Sequence, residues 1–252
     1  MASIANSGDR FRIGRVFNDS FAVIGRNLAL CLGLGLAFHA LPRFGAWLWY
    51  VNSSTAGLTG WAFVSQHAIV VILGSVVYLV ITAVLQTSLI RAAMVDLRGE
   101  KPTFSNCFGV ALILFLPILG ASLLVTLGII IGLVLLIVPG ILVLLRWAVT
   151  MPVLIQERRG ILDSMARSRD LTAGSRWPML GLWVILAVVS ALMSLVINRV
   201  AIPLNVTFGL LADAVVRAAL LVLSSVVMAV TYIELLRIKE GTGVEDLAEI
   251  FS

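Results

Sequence analysis

Few residues of this sequence could do chemistry, and the most unusual of them is an arginine at the end of a long apolar run. Arg146 follows residues 102–145, which contain no Asp, Glu, Lys or Arg, and ten uncharged residues separate it from Glu157. A charged side chain at the centre of a membrane helix costs about 2.5–3.5 kcal/mol, so it marks a functional site by default. In a purely structural role, Arg146 would stabilise a helix kinked by Pro139 and Pro152 or extend its side chain to the membrane surface. In a functional role, it would bind an anionic lipid or substrate.

The remaining candidates predict an ion pair but no catalytic site. Asp213 and Arg217 are four residues apart, a spacing that lets them pair on one helix face; a gate or proton-binding site is the alternative. His39 and His67 have no Cys, Asp or Glu at ligand spacing, so we expect no metal site. The sequence also contains no Ser-His-Asp set, P-loop or glycine-rich dinucleotide turn, so we expect neither catalytic residues nor a cofactor.

The composition indicates where these residues must be placed. Of the 252 residues, 60% are hydrophobic and only 12% are charged, whereas soluble domains average roughly 45–50% and about 25%. This excludes a soluble enzyme, a disordered protein and a disulfide scaffold, and it predicts a single integral membrane domain over residues 1–252. The net charge of +5 is explained by basic cytoplasmic loops, so nucleic acid is not expected as a partner.

The gaps between charged residues predict an all-α bundle of six membrane spans. One gap, residues 102–145, is too long for a single helix and must fold back on itself. A turn at residues 126–132, which contain two glycines, is preferred, with Pro139 kinking the following helix; a turn at Pro139-Gly140 is the alternative. The predicted spans are residues 24–42, 68–90, 106–126, 132–155, 177–198 and 214–236.

The distribution of basic residues predicts the orientation of this bundle. If the N-terminus is inside, 14 of the 18 Lys and Arg residues fall on the inner side and three on the outer side, and Arg146 lies within a span. Cytoplasmic loops carry such an excess of basic residues. We therefore expect both termini in the cytoplasm.

The ends of the even-numbered spans form a repeat. An acidic residue is followed by a basic residue and then a glycine in segments 96–99, 157–160 and 234–241. The glycine can cap the helix in a left-handed conformation, and the amphipathic stretch that follows can lie in the cytoplasmic interface. The repeat predicts three two-helix units with interfacial helices between them. Its basic residues are candidates for binding anionic lipid headgroups: Arg158, Arg159 and Arg167.

Residues 137–174 contain a more specific pattern. They include Ile-Val-Pro-Gly-Ile at 137–141, Arg146-Trp147, and Met-Pro-Val-Leu-Ile-Gln-Glu-Arg-Arg-Gly at 151–160. Ser-Met-Ala-Arg-Ser and Leu-Thr-Ala-Gly follow at 164–168 and 171–174, and Glu-Leu-Leu-Arg-Ile-Lys-Glu-Gly closes span six. The pattern resembles the membrane domain attached to some glycerophosphoryl diester phosphodiesterases and related stand-alone six-span proteins of the bacterial inner membrane. The resemblance implies a membrane fold and that location. Because the predicted bundle takes up all 252 residues, we expect no hydrolase domain, and the resemblance carries over no catalytic residue.

Three functions compete at this point. A non-enzymatic membrane protein that organises or binds lipids or partner proteins is favoured by the interfacial helices and the missing catalytic set. A transporter or lipid carrier with a site near Arg146 is favoured by the repeat and the kinked helices. A lipid-modifying enzyme would need a polar cluster facing one membrane surface, and the sequence contains none. Membrane lipids, above all anionic ones, are the expected partners.

Overall fold

The computed structural model describes residues 11–54 and 60–240, and every regular element in those ranges is helical. The first half contains α1 Ile13–Arg26, α2 Leu28–Gly35, a π-helical turn Leu36–Ala40, α3 Leu41–Ser54, α4 Gly60–Gln66, α5 Ala68–Leu97 and α6 Phe104–Ile113. The second half contains α7 Phe115–Leu135, α8 Ile137–Arg146, α9 Thr150–Glu157, α10 Ile161–Thr172, α11 Arg176–Val196, a π-helical turn Ile197–Ala201, α12 Ile202–Leu204 and α13 Val206–Glu240.

Six of the described helical segments are long and apolar enough to cross a membrane, which confirms the all-α membrane bundle. Four of them contain 26 to 35 residues, and the two that form the α7–α8 region contain 21 each. The predicted third span began too early, because Leu114 separates α6 from α7. The six segments are Leu28–Ser53, Ala68–Leu97, Phe115–Leu135, Ile137–Glu157, Arg176–Leu204 and Val206–Glu240.

Spans one and five are longer than predicted because in each of them the helix continues past a proline that follows a π-helical turn. In span one, the Leu41 N–H donates to the Leu36 carbonyl, five residues back, and Pro42 follows. In span five, the Ile202 N–H donates to the Ile197 carbonyl, and Pro203 follows. A single wide turn changes the hydrogen-bond register just before the residue that has no N–H to donate. The helix therefore continues beyond the proline.

The turn between spans three and four lies at Leu136, so the preferred turn at 126–132 was wrong. Residues 126–132 belong to α7, and Leu136 is extended, with φ −165° and ψ 149°. Pro139, which was expected to kink a helix, is the third residue of α8 instead. A proline is tolerated in the first turn of a helix because its missing N–H has no intrahelical acceptor there.

The glycines that suggested a turn are packing residues of a helical hairpin. A Cβ atom on Gly132 would lie 2.8 Å from the Gly140 Cα, and a Cβ atom on Gly128 would overlap the ring of Trp147. Small residues four positions apart let membrane helices approach this closely. The hairpin ends in apolar residues 134–138, whose exposed fractions range from 67% to 80%.

The largest buried side chains lie at one end of the bundle, which we call the capped end: α1, α9, α10 and the last turns of α5 and α13. The helix α1 packs against α5, α11 and α13, and α10 packs against α7, α8, α9 and α13. Tyr232, Met94 and Leu154 are almost completely buried there. These two helices occupy the positions expected for interfacial helices; the stretch predicted to follow Gly241 lies outside the described residues.

The helix caps of the repeat follow the prediction at one position and depart from it at another. Gly99 has φ +83°, its N–H donates to the Asp96 carbonyl, and the Glu100 N–H donates to the Val95 carbonyl. This is the Schellman arrangement expected of a C-terminal glycine. After α9, Arg158 itself is left-handed, with φ +48°, and Gly160 is not, so the prediction for Gly160 was wrong. Gly241 lies outside the described residues.

Candidate functional site

Glu157, the last residue of α9, is the centre of a charged cluster at the capped end. Its side chain is only 9% exposed. Its Oε1 atom accepts hydrogen bonds from the Tyr232 hydroxyl at 3.1 Å and from the Arg167 Nε at 3.3 Å. Its Oε2 atom lies 2.7 Å from the Arg159 Nε, an ion-pair contact without hydrogen-bond geometry. One buried carboxylate thus connects α9, α10 and α13.

Arg167 is a bridging residue of this cluster. Its guanidinium contacts Glu157 and also Glu240, at the end of α13. Burial lowers the pKa of Arg167, but the hydrogen bond to Glu240 and the charge of Glu157 outweigh it, so the net shift is upward. Arg167, which was predicted to bind lipid, therefore already pairs with two carboxylates of the protein.

Arg158 and Arg159 follow α9 and differ in their contacts. Arg159 pairs with Glu157 while half of its side chain stays exposed. Arg158 is exposed, and within the described part of the chain its guanidinium has no ion-pair partner. The left-handed backbone of Arg158 turns the chain between α9 and α10. Of the two arginines, only Arg159 is thus paired with a carboxylate among the described residues.

Arg146 is the tenth residue of the membrane-crossing segment Ile137–Glu157, and its side chain is exposed on the outside of the bundle. It is the last residue of α8, and the chain leaves helical geometry at residues 147–149 before α9 begins. Its carbonyl accepts a hydrogen bond from the Ser168 hydroxyl at 2.9 Å, and the Ser168 Oγ accepts one from the Val149 N–H at 3.3 Å. Ser168 of α10 therefore forms hydrogen bonds with the backbone groups left free by the helix interruption. From the sequence, the Arg146 side chain was the expected partner of such groups. The Arg146 side chain is exposed and has no partner among the described residues.

Two further buried carboxylates tie α1 to the bundle, and the sequence had marked them only as members of the repeat. Glu234 of α13 pairs with Arg15 at 3.2 Å and with Arg237 at 3.4 Å. Asp96 of α5 pairs with Arg26 and accepts a hydrogen bond from the Asn27 side chain at 2.6 Å. The hydrogen bond to Asp96 raises the pKa of Arg26. In each copy of the repeat, the acidic residue (Asp96, Glu157 or Glu234) thus connects a helix of the capped end to another helix of the bundle.

A second polar cluster lies at the opposite end of the bundle, which we call the far end: α3, the first half of α5, residues 197–205 and the start of α13. Asp213 pairs with Arg217 at 2.8 Å, as the spacing predicted, and also with Arg43 at 2.8 Å. Arg43 is 170 positions away from Asp213, so no sequence signal could have identified it. Next to this group, the Tyr78 hydroxyl lies 3.1 Å from the His39 Nδ1.

His39 and His67, the two histidines of the sequence, lie in different surroundings. His39 contacts Tyr78 and His67 packs edge-on against Trp49, so the two imidazoles have different neighbours. Within residues 11–54 and 60–240, no group of three His, Cys, Asp or Glu residues could hold a metal ion.

Comparison of the chain with protein-family models, with curated proteins and with solved structures finds no match. Its functional interpretation therefore rests on its own residues. Those residues form charged clusters at both ends of an apolar bundle, an arrangement suited to contacts with charged groups at two membrane surfaces.

Proposed function

We propose that this protein is a non-enzymatic multi-pass membrane protein that binds anionic lipid headgroups at its capped end. The observation that carries the proposal is that the Arg146 and Arg158 guanidiniums are exposed and, within the described residues, unpaired. The carboxylates buried in the described residues are already paired with other bases: Asp96, Glu157, Asp213 and Glu234. Among the described residues no buried carboxylate is left for these two arginines, and an external anion can pair with them.

The apolar residues beside these arginines support a lipid headgroup as that anion. Leu162 of α10 and Trp177 of α11 are 71% and 83% exposed at the same end of the bundle. Exposed tryptophans are typical of the membrane–water interface, and arginines place an apolar stem in lipid and a charged head among phosphates. Contact with water would be unfavourable for both of these large apolar side chains. The capped end therefore offers the mixed surface that headgroups require.

The charge distribution supports a cytoplasmic, anionic leaflet as the binding surface. With the capped end inside, 14 of the 18 basic residues lie on the cytoplasmic side. That leaflet is negatively charged, and each nearby Lys or Arg contributes roughly 1 kcal/mol to attraction. The resemblance to six-span proteins of the bacterial inner membrane supports the same location, with both termini in the cytoplasm. Partner proteins that share this surface would compete with lipid for the same arginines.

A transporter or lipid carrier with a site near Arg146 is less well supported. Such a site needs a cavity that reaches the arginine from both sides of the membrane. The Arg146 side chain lies on the outer surface of the bundle, and it does not line the cavity at the far end. The geometry of Arg146 therefore favours binding over passage.

Lipid binding by nanodisc-reconstituted variants tests the proposal. We expect the double variant Arg146→Gln/Arg158→Gln to lose phosphatidylglycerol relative to phosphatidylcholine, by about fivefold per arginine, in native mass spectrometry of the annular lipids. Arg169→Gln is the matched control, because Arg169 is also exposed on α10 at the capped end but pairs with Asp170 at 3.5 Å. An unchanged lipid ratio in the double variant, with the same thermal stability as wild type, would overturn the proposal.

A further inference from the structure

A cavity of about 590 Å³ lies at the far end, between α3, α4 and the first half of α5. Its walls are mostly aliphatic and aromatic, and they include Trp47, Trp49, Tyr50 and Tyr78. Among the described residues that line it, Arg43 is the one that is charged. Ligand sites of this kind, apolar with a few polar groups, have volumes of about 300–1,000 Å³. The cavity therefore has the size and lining of a binding site for an amphiphile.

The cavity lies in the half of the bundle opposite the capped end. Its lining residues on the continuous helix α5 run from Val70 to Ile81. At 1.5 Å per residue they lie roughly 22–39 Å along the helix from Asp96, which belongs to the charged layer of the capped end. The cavity therefore extends over the far part of the roughly 30 Å hydrocarbon core towards the headgroups of the other leaflet.

The charges around Arg43 do not cancel. The Arg43 Nε and Nη2 atoms lie 2.9 Å and 2.8 Å from one carboxylate oxygen of Asp213. The other oxygen accepts a hydrogen bond from the Arg217 Nε at 2.8 Å. Two guanidiniums therefore share a single carboxylate, and the group, of which Arg43 lines the cavity, carries one net positive charge. A negative group in the cavity would neutralise it in surroundings of low dielectric constant, where that attraction is strong.

We propose that this cavity binds one anionic phospholipid, with its phosphate at Arg43 and an acyl chain along the wall formed by Trp47, Tyr50 and the α5 side chains. The net charge selects an anionic headgroup, and the apolar walls select the chain. This site is separate from the capped end: it uses a different arginine, a different leaflet and a defined cavity. It is independent of the lipid binding proposed for Arg146 and Arg158.

Quenching of tryptophan fluorescence tests the proposal directly, because Trp47 and Trp49 line the cavity. Full-length protein in detergent is titrated with brominated phosphatidylglycerol and, separately, with brominated phosphatidylcholine. We expect saturable quenching with phosphatidylglycerol and about fivefold weaker binding of phosphatidylcholine. The amplitude of the saturable component falls in a Trp47→Phe/Trp49→Phe variant, in which Trp177 still reports lipid at the capped end. Equal affinities for the two lipids, or a saturable component of unchanged amplitude without Trp47 and Trp49, would overturn the assignment.

A variant that fills the cavity provides the second arm. Gly74 lines the cavity, and a Cβ atom added there meets no atom within 4 Å, so Gly74→Leu extends into the open space without a clash. We expect it to weaken phosphatidylglycerol binding at least tenfold. Gly33→Leu is the matched control, since Gly33 also has open space around it but lies in α2, outside the cavity. Wild-type affinity in folded Gly74→Leu would show that lipid does not occupy this cavity.

Arg43→Gln separates the headgroup contact from the chain contact. We expect Arg43→Gln to bind phosphatidylcholine with the wild-type affinity. Its affinity for phosphatidylglycerol should fall to that same value. A retained preference for phosphatidylglycerol in Arg43→Gln would contradict the role of Arg43, whatever the result for Gly74→Leu. The capped-end variant Arg146→Gln/Arg158→Gln is expected to titrate as wild type in this assay, which distinguishes the two sites.

Discussion

The capped end and the α7–α8 hairpin hold their helices together in different ways. At the capped end, the buried carboxylates Asp96, Glu157 and Glu234 connect helices through arginines. In the hairpin, Gly132 and Gly140 let two backbones meet without any polar contact between them. Lipid tails are as apolar as leucine, so the hydrophobic effect does not drive helices together in a membrane. Polar contacts and close packing are the two remaining means, and this protein uses each in a separate region.

The largest expected effect comes from removing a buried carboxylate of the capped end. Glu234 is 3% exposed and pairs with Arg15 of α1 and with Arg237. Glu234→Ala leaves these guanidiniums beside a cavity, and breaking a buried pair on one side costs about 3–5 kcal/mol. We expect a decrease of about 4 kcal/mol in the free energy of unfolding, measured by steric trapping in detergent. Glu100→Ala, which changes an exposed acid after α5, is the control; a similar loss there would show that burial of the acid is irrelevant.

A smaller effect is expected in the hairpin. Gly132→Ala places a methyl group 2.8 Å from the Gly140 Cα, so the two backbones must separate, and overpacking of this kind costs about 1–3 kcal/mol. We expect a decrease of about 2 kcal/mol in the same unfolding measurement. Gly109→Ala in α6 has open space around it, and the better helix propensity of alanine should leave it neutral or slightly more stable. Equal behaviour of the two variants would show that close packing does not hold the hairpin.

The smallest effect is expected where the base of a capped-end pair is exposed. The Arg26 side chain is 57% exposed, and Asp96 keeps its hydrogen bond from Asn27 when Arg26 is changed. Exposed ion pairs contribute about 0–1 kcal/mol. We therefore expect Arg26→Gln to lower the free energy of unfolding by about 0.5 kcal/mol. A loss as large as that of Glu234→Ala would mean that the number of ion pairs, and not their burial, determines stability.

The sequence predicted the six spans because charged residues mark most of their ends. It failed in residues 102–145, where no charge marks a boundary. Glycine has two uses in helices, since it can end them or let them pack closely, and the spacing of Gly128 and Gly132 does not distinguish the two. Their packing partners, Gly140 and Trp147, become apparent only when the helices are placed side by side.

The candidate sites were predictable to a smaller extent. The repeat identified the acids Asp96, Glu157 and Glu234, because each occupies the same place relative to a helix end. It did not identify their partners, which depend on where α1 and α10 pack. Arg146 was expected within a span because its neighbours are apolar, and it is the tenth residue of the segment Ile137–Glu157. The helix interruption at 147–149 and the contact of its carbonyl with Ser168 could not be predicted from the sequence. Arg43 and Asp213 are joined only by the fold.

The apolar tip of the α7–α8 hairpin has a consequence for how the chain enters the membrane. Residues 127–145 contain only apolar side chains, glycine and proline, so no polar side chain of this hairpin has to be translocated across the hydrocarbon core. The connection between α11 and α13 differs, because Arg199 and Asn205 must cross, at a barrier of several kcal/mol for the charge alone. A hairpin of this composition can therefore insert from the capped-end side as a closed unit.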